Sequence, residues 1–193
     1  LLHRPWPEYG WEKTEKTMKV RKAMDAVSLE KILTLYNEAF PKGEQKPFRM
    51  LVDKQEEGNV DILYLEEEDE FAGLAIMAAE KDLVLLDYFA IDSRKRNGGA
   101  GSRALKALTD YYDGMRMILE IESTKVDCPD HSLRARRKGF YHRNGMTELP
   151  FDVSFFGIEM ETMSNGTIIN GKEYVDLYRN IFGSEVADRV RVL

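Results

Sequence analysis

The sequence contains Arg96-Asn97-Gly98-Gly99-Ala100-Gly101-Ser102, a glycine-rich stretch between two apolar segments of different pattern. Residues 83–91 before it form a mostly apolar run, and residues 102–108 after it repeat apolar side chains at helical spacing. This order predicts a strand, a loop and a helix. Glycines lack Cβ, so backbone N–H groups can approach a ligand closely. The N-terminus of the following helix attracts anions, and the stretch therefore predicts a phosphate-binding loop.

Three phosphate-binding patterns can be compared with this stretch. A Walker motif requires Gly-Lys and then Ser or Thr, whereas Gly101 is followed by Ser102 and Arg103. A dinucleotide fingerprint opens the first strand–helix unit of a chain, whereas this loop follows several predicted strands. The pattern that fits is Arg-x-x-Gly-x-Gly, formed by Arg96, Gly99 and Gly101. It resembles the pyrophosphate loop of the GNAT superfamily of acyl-CoA N-acyltransferases.

A second segment resembles the same family. Residues 136–146 are similar to a block in which a helix ends in Phe or Leu, then Tyr-x-x-x-Gly-Phe; Tyr141, Gly145 and Met146 take the last three named positions. Glycine just past a helix end supplies the left-handed residue that closes it. Residues 117–122 resemble the family's strand that usually carries Leu-Glu-Val. The order of these blocks strengthens the resemblance.

The resemblance extends from Met18 to Phe156 and implies a fold. We expect a GNAT fold of the α/β class, with a mixed, mostly antiparallel central sheet flanked by helices on both faces. Residues after Met163 depart from the short family form and predict an extra C-terminal helix with an apolar stripe. That helix could cover a cleft or join two subunits, but we favour packing on its own domain.

The periodicity of apolar residues predicts the individual elements. We expect the first helix to be capped by Ser28. The acidic run at residues 66–70 is interpreted as a solvated hairpin turn. Strands are predicted at 19–23, 60–65, 71–79, 83–91, 116–122, 146–151 and 155–163, and helices at 28–40, 48–57, 102–112, 132–144 and 173–182.

Length and composition predict one globular domain. The chain has 193 residues, 43% hydrophobic and 32% charged, which is typical of a soluble protein with one core. We assign residues 18–193 to a single GNAT-like acetyltransferase domain. Residues 1–17 are interpreted as an N-terminal extension that is non-native or poorly packed.

Composition also argues against several kinds of site. No apolar run reaches the roughly 20 residues of a bilayer span, and the amino terminus lacks a secretory pattern. Cys128 is the single cysteine, so an internal disulfide is excluded. With three histidines in all, no metal site is expected. These features predict a cytoplasmic protein without a membrane partner, and a homodimer stays open.

Basic side chains form two clusters against a net charge of −6. The resemblance places both beside the same coenzyme, where they would neutralise phosphates. The alternative is a nucleic-acid-binding protein, but the negative net charge weighs against it, and no nucleic-acid partner is expected. The clusters contain Arg94, Lys95, Arg96 and Arg103, and then Arg134, Arg136, Arg137, Lys138 and Arg143.

What the resemblance implies about function is transfer of an acetyl group from acetyl-CoA to a primary amine, without a covalent enzyme intermediate. The acceptor is a small molecule or a peptide. Residues 96–102 would hold the pyrophosphate, and Phe89, Ala90 and Ile91 would bind the pantetheine arm as an added strand and supply a main-chain oxyanion donor. The alternative is a non-catalytic acyl-CoA-binding sensor or regulator. The family's coenzyme-contacting Asn is replaced here by Arg134.

Three side chains are candidates for proton transfer. Tyr141 is the candidate acid for the coenzyme thiolate, since a phenol pKa of about 10 and a thiol pKa of about 8.5 are close. The alternative is a core tyrosine whose hydroxyl bonds to the main chain. Glu120 and Glu122 alternate onto one strand face and are the candidate bases, because adjacent carboxylates raise each other's pKa. Asp87 competes for that role.

Overall fold

The computed structural model describes residues 16–193. Apart from Lys16 and Thr17, the interpreted N-terminal extension lies outside the described residues. The described chain forms one eight-stranded sheet in the order β1-β2-β3-β4-β5-β7-β6-β8. The strands are β1 (Met18–Lys22), β2 (Val60–Glu67), β3 (Glu70–Glu80), β4 (Leu83–Ile91), β5 (Arg116–Glu122), β6 (Thr147–Phe155), β7 (Ile158–Ser164) and β8 (Val190–Val192).

Helices cover both faces of this sheet, which confirms the predicted fold class. One core joins α1, α2 and α5 to one face, and a second core joins α3 and α4 to the other. The C-terminal helix α5 therefore packs on its own domain. The helices are α1 (Ala26–Ala39), α2 (Phe48–Glu56), α3 (Ala100–Tyr111), α4 (His131–Arg143), α5 (Gly171–Phe182) and α6 (Ser184–Ala187).

β4 and β5 form the parallel pair of the described sheet, and they separate partway along. Their register runs from Leu83 opposite Arg116 to Leu86 opposite Leu119 and then ends. Beyond this point β4 keeps its antiparallel pairing with β3, and β5 keeps its pairing with β7. The C-terminal halves of the two strands therefore diverge and leave a wedge in the middle of the sheet.

Two of the hairpin turns in the described sheet are tighter than the sequence predicts. β2 and β3 extend into the acidic run and join through Glu68 and Asp69, whose φ angles are 55° and 61°. β6 and β7 join through Phe156 and Gly157, with φ angles of 51° and 85°. Two-residue hairpins of this kind need left-handed backbone at both positions, usually Asn or Gly. The acidic turn of β2 and β3 thus lies inside the predicted run 66–70, with the strands extending further into it. The β6–β7 turn lies beyond its predicted position between residues 151 and 155, because a phenylalanine does not indicate left-handed backbone.

Two further details differ from the sequence prediction. The cap of α1 is Asp25, which accepts a hydrogen bond from the Ser28 N–H at 2.8 Å, so Ser28 is not the cap. The short elements α6 and β8 at the C-terminus were not predicted, because three- and four-residue elements show no measurable periodicity. α5 begins at Gly171 with a capping box between Asn170 and Glu173.

Gly73 sets how closely β3 approaches β4. A Cβ added at Gly73 would lie 2.3 Å from the carbonyl oxygen of Ala90. Because backbone cannot move aside cheaply, we expect Gly73→Ala to lower the free energy of unfolding by about 1–3 kcal/mol. Thermal denaturation should show a Tm about 2–4 °C lower per kcal/mol. Gly43→Ala, where nothing lies within 4 Å of the added Cβ, is the control and should unfold like the parent protein.

Candidate active site

The wedge between β4 and β5 opens into a cavity of about 550 Å³. Its walls come from the free half of β4, the end of β5, α4, the α1–α2 loop and the β6–β7 hairpin. Eight of the residues predicted for the glycine-rich loop, the pantetheine strand or proton transfer line it: Asp87, Phe89, Ala90, Ile91, Arg96, Glu120, Glu122 and Tyr141. The remaining predicted residues, 97–102, lie next to Arg96 but are not part of the lining.

The free edge of β4 presents main-chain groups to this cavity. Strand residues point their N–H and C=O groups alternately to the two sides. The Asp92 N–H donates to the Ala72 carbonyl of β3 at 2.9 Å, so the N–H of Ala90, two residues earlier, also faces β3. The N–H and C=O groups of Phe89 and Ile91 consequently face the wedge. The Ile91 carbonyl there accepts a hydrogen bond from Arg96 Nε at 2.9 Å. The N–H groups of Phe89 and Ile91 are the main-chain donors available there.

The glycine-rich loop keeps its N–H groups free. Asn97 and Gly99 have φ angles of 66° and 79°, and α3 begins at Ala100 without a side-chain cap. In the described part of the chain, no hydrogen bond uses the N–H groups of residues 97–102. Six consecutive donors at a helix N-terminus form an arrangement suited to an anion.

Glycine is required at positions 99 and 101 of the motif for different structural reasons. Gly99 has the left-handed backbone that glycine adopts without penalty. Gly101 lies against α4, where an added Cβ would come within 3.2 Å of the Phe140 ring. Close packing of α3 on α4 therefore explains Gly101, whereas close approach to a ligand was the reason expected from the sequence.

Most cations of the two basic clusters already have carboxylate partners within the chain. Arg94 pairs with Asp92 at 2.8 Å, and Arg103 pairs with the buried Glu67 at 2.6 Å. In the second cluster Arg134, Arg137 and Lys138 are paired in the same way. Arg96 differs, because it has no carboxylate partner among the described residues and it lines the cavity. Phosphate neutralisation is therefore not needed to explain the clusters as a whole.

Tyr141 projects from α4 into the opposite wall of the cavity. The residue is 8% exposed, and its hydroxyl makes no hydrogen bond to any described residue. The described residues contain no fully buried side-chain polar atom without a partner, so this hydroxyl reaches the cavity. Burial raises the pKa of Tyr141 to about 12, opposed by the nearby Arg137. The hydroxyl is therefore protonated at neutral pH, but it is a weaker acid than the sequence reasoning assumed, because its pKa lies further from the thiol value of about 8.5. The alternative of a main-chain hydrogen bond does not hold.

Glu120 lies at the start of the divergent part of β5. Its Oε1 accepts hydrogen bonds from the hydroxyls of Tyr174 and Tyr178, the latter at 2.8 Å. Burial raises the pKa of Glu120, and the negative charge of Asp87 raises it further. The carboxyl group thus has the elevated proton affinity that suits proton removal near neutral pH.

The other two carboxylates in this part of the cavity are paired. Glu122 accepts from Arg137 at 2.5 Å and lies 3.3 Å from Arg134. Asp87 is held by Lys46 through both carboxylate oxygens. The neighbour that raises the pKa of Glu120 is Asp87, whereas the sequence reasoning relied on Glu122. Glu122 keeps its place in the lining but its charge is neutralised by α4.

Arg134, which stands where the family has a coenzyme-contacting Asn, is paired within the chain. It contacts Asp130 and Glu122, and Nη1 donates to the Ser123 carbonyl at 3.2 Å. Sequence reasoning also missed Lys46, which lines the cavity from the α1–α2 loop. It missed as well that Tyr174 and Tyr178 of α5 donate to Glu120 from the core. The spacing of Tyr174 and Tyr178 placed them on one helix face, but no local pattern showed that their hydroxyls contact Glu120.

The described residues contain neither a membrane-spanning helix nor a cluster of metal-binding side chains. No helix among residues 16–193 has the length and apolar character of a membrane span. Within the same residues, no group of three or more His, Cys, Asp or Glu side chains has the arrangement of a metal site.

Known structures share this architecture. A protein described as a GNAT-family acetyltransferase from Bacteroides thetaiotaomicron superposes with a TM-score of 0.74 at 22% identity, over 86% of this chain and 99% of that one. The ribosomal-protein-S18-alanine N-acetyltransferase of Escherichia coli gives 0.58 at 16% identity, over 81% and 97%. A Bacillus subtilis acetyltransferase in complex with CoA gives 0.53 at 14%, over 78% and 97%. At these identities the likeness shows the fold.

The sequence itself matches a family profile. No curated protein matches the chain as a whole. The profile of the acetyltransferase (GNAT) family matches residues 29–146, which is more than half of the chain and includes the glycine-rich loop, Glu120 and Tyr141. The chain therefore belongs to the GNAT acetyltransferase family.

Proposed function

We propose that the wedge between β4 and β5 binds acetyl-CoA together with an amine acceptor and that the acetyl group passes directly between them. The observation that carries this proposal is the free edge of β4, which offers main-chain groups to a cavity bounded by the Tyr141 hydroxyl, unpaired among the described residues, and by the half-buried Glu120 carboxyl. The free N–H groups of residues 97–102 and the side chain of Arg96 are the pyrophosphate site in this arrangement.

The reaction follows from the positions of these groups. The neutral amine nitrogen attacks the thioester carbonyl carbon, and Glu120 takes the amine proton directly or through a water molecule. The oxyanion is stabilised by the N–H of Phe89 or Ile91, which are oriented before the reaction begins. The carbon–sulfur bond then breaks, and Tyr141 gives its proton to the departing thiolate. Glu120 then releases its proton to solvent, and a solvent proton restores Tyr141.

The acceptor is the primary amine of a small molecule or a peptide. Among the structural neighbours, the Escherichia coli protein is by name an N-acetyltransferase of a ribosomal-protein alanine. Glu44 lines the cavity from the α1–α2 loop and has no side-chain partner among the described residues. Its pKa is raised by burial and, to a smaller extent, by the negative charge of Glu122. A cationic acceptor would relieve that repulsion, so Glu44 is suited to attract an amine.

The experiment that tests this function measures free thiol release. The purified protein is incubated with acetyl-CoA and a panel of amines, peptides and aminoglycosides, and calorimetry measures the affinity for CoA alone. Amine-dependent thiol release supports the enzyme. Tight CoA binding without release by any amine would instead support the acyl-CoA sensor, and absence of CoA binding would contradict both.

The pyrophosphate site can be tested at Gly99. Alanine at this left-handed position costs about 1–2 kcal/mol and bends the loop that presents the N–H groups; the added Cβ also lies 3.0 Å from Arg103 Nη1. We expect Gly99→Ala to weaken CoA binding about tenfold or more by calorimetry. The matched control is Gly114→Ala, with φ of 80° at the other end of α3. Both variants should lose similar thermal stability, and equal CoA affinity in the two would contradict the assignment.

A further inference from the structure

Lys46 and Asp87 form a buried ion pair at the apex of the wedge. Lys46 Nζ lies 2.7 Å and 2.9 Å from the two oxygens of Asp87. The side chains are only 8% and 3% exposed. Both residues line the cavity described above. No other carboxylate among the described residues lies within ion-pair distance of this ammonium, so Asp87 is its one charged partner.

The surroundings of Lys46 are aromatic. Four rings have their centres within 5.3 Å of Nζ, and they come from β4, β6 and α5. Such rings attract a cation. They also exclude water from it, and this loss of hydration is costly for a buried charge. A buried ion pair is often no more stabilising than apolar residues of the same volume. Its presence beside the cavity therefore calls for a role other than stability. The rings belong to Tyr88, Phe155, Tyr178 and Phe182.

The sheet brings this pair next to Glu120. Asp87 has no partner in β3, because the register skips from Leu86 opposite Met77 to Tyr88 opposite Ile76. The last pair of β4 and β5 is Leu86 and Leu119. Asp87 and Glu120 are thus the first residues of the two strands after the divergence, and their carboxyl groups interact electrostatically.

Each element packed around Glu120 contributes a defined group. β4 contributes Asp87, the α1–α2 loop contributes Lys46, and α5 contributes the hydroxyls of Tyr174 and Tyr178. β7 contributes Thr162, which pairs with Glu120 in register and carries no charge. Lys46 is therefore the one cation among these groups, and it faces two carboxyl groups.

We propose that Lys46 is a positioning residue of the acyl-transfer site, whose ammonium holds Asp87 and compensates its charge so that Glu120 can act as the base. This inference rests on the proposed function, in which Glu120 takes the proton of the amine. Without the ammonium, two adjacent carboxyl groups in a low-dielectric site share one proton, and one of them stays neutral well above its ordinary range. Glu120, whose pKa is already raised by burial and by the charge of Asp87, would be the one that keeps the proton.

The test compares charge with shape at position 46. Lys46→Met keeps the length of the side chain and removes its charge; Lys46→Arg keeps the charge. For Lys46→Met we expect the acidic limb of the kcat profile to move about 1–3 pH units upward, because an opposite charge at this range shifts a carboxyl pKa by that amount. Lys46→Arg should retain a profile near that of the parent protein, and CoA affinity should change little in either variant.

A double variant controls for misfolding. Lys46→Met with Asp87→Asn leaves no unpaired buried charge, so it should fold even if Lys46→Met alone does not. Its acidic limb should return toward the parent position. Carbon NMR of the Glu120 carboxyl, without acceptor, reports the same titration independently of turnover. The proposal would be overturned if the Glu120 carboxyl of Lys46→Met titrated as in the parent protein. It would also be overturned if kcat of Lys46→Met were lower at every pH while the acidic limb stayed at its parent position. No thiol release by the parent protein would instead overturn the proposed function.

Discussion

Tyr141→Phe is expected to lower kcat by about 100-fold, near the lower end of the range for general acid catalysis. The lower end applies because a thiolate with a pKa of about 8.5 leaves without full protonation. The ring of Tyr141 packs in the core beside Phe140, whereas its hydroxyl makes no hydrogen bond to the described residues. Removing the hydroxyl alone should therefore leave the fold and the CoA affinity nearly unchanged.

The measurement is single-turnover and steady-state thiol release for Tyr141→Phe, with CoA affinity by calorimetry. Tyr111→Phe, on the exposed surface of α3, is the matched control and should keep full activity. Because the pKa of Tyr141 is raised to about 12, the parent rate should show no loss from phenol ionisation at neutral or mildly alkaline pH. Parent-like kcat in Tyr141→Phe would remove Tyr141 from the mechanism.

Glu120→Gln is expected to lower kcat by about 100- to 10,000-fold, the range for a general base. The amide keeps an oxygen that accepts from Tyr174 and Tyr178, so the geometry is retained. The activity of the parent protein should fall as the pH drops through the raised pKa of Glu120, since only the carboxylate accepts a proton. The residual activity of Glu120→Gln should lack that acidic limb.

Stability should respond differently from activity. Because the pKa of Glu120 is raised on folding, its protonated form favours the folded state, and ionisation above the folded pKa lowers stability. At pH 8 Glu120→Gln should therefore unfold at the same temperature as the parent protein or higher. Glu56→Gln, exposed on α2, is the control for both measurements. A large loss of Tm with proportionate loss of activity would indicate a structural role for Glu120.

Local patterns predicted most of the sheet. Residues 83–91 and 116–122 agree with the bounds of β4 and β5, and α3 and α4 begin within two residues of their predicted positions. These elements have apolar periodicities long enough to define a face. The acidic turn at Glu68 and Asp69 was predicted within residues 66–70, whereas the β6–β7 turn was misplaced, because Phe156 adopts left-handed backbone that tertiary pairing of the strands imposes on it.

The sequence by itself determined the strand–loop–helix unit, the family and the candidates Glu120 and Tyr141. Each depends on neighbours a few residues apart, through side-chain periodicity and the conformational freedom of glycine. Only the tertiary structure decided how these groups are charged and held. Lys46 reaches Asp87 across 41 positions, and Tyr174 and Tyr178 reach Glu120 across 54 and 58. Such contacts arise from sheet order and helix packing, and a buried carboxyl takes its proton affinity from whichever charges those contacts bring beside it.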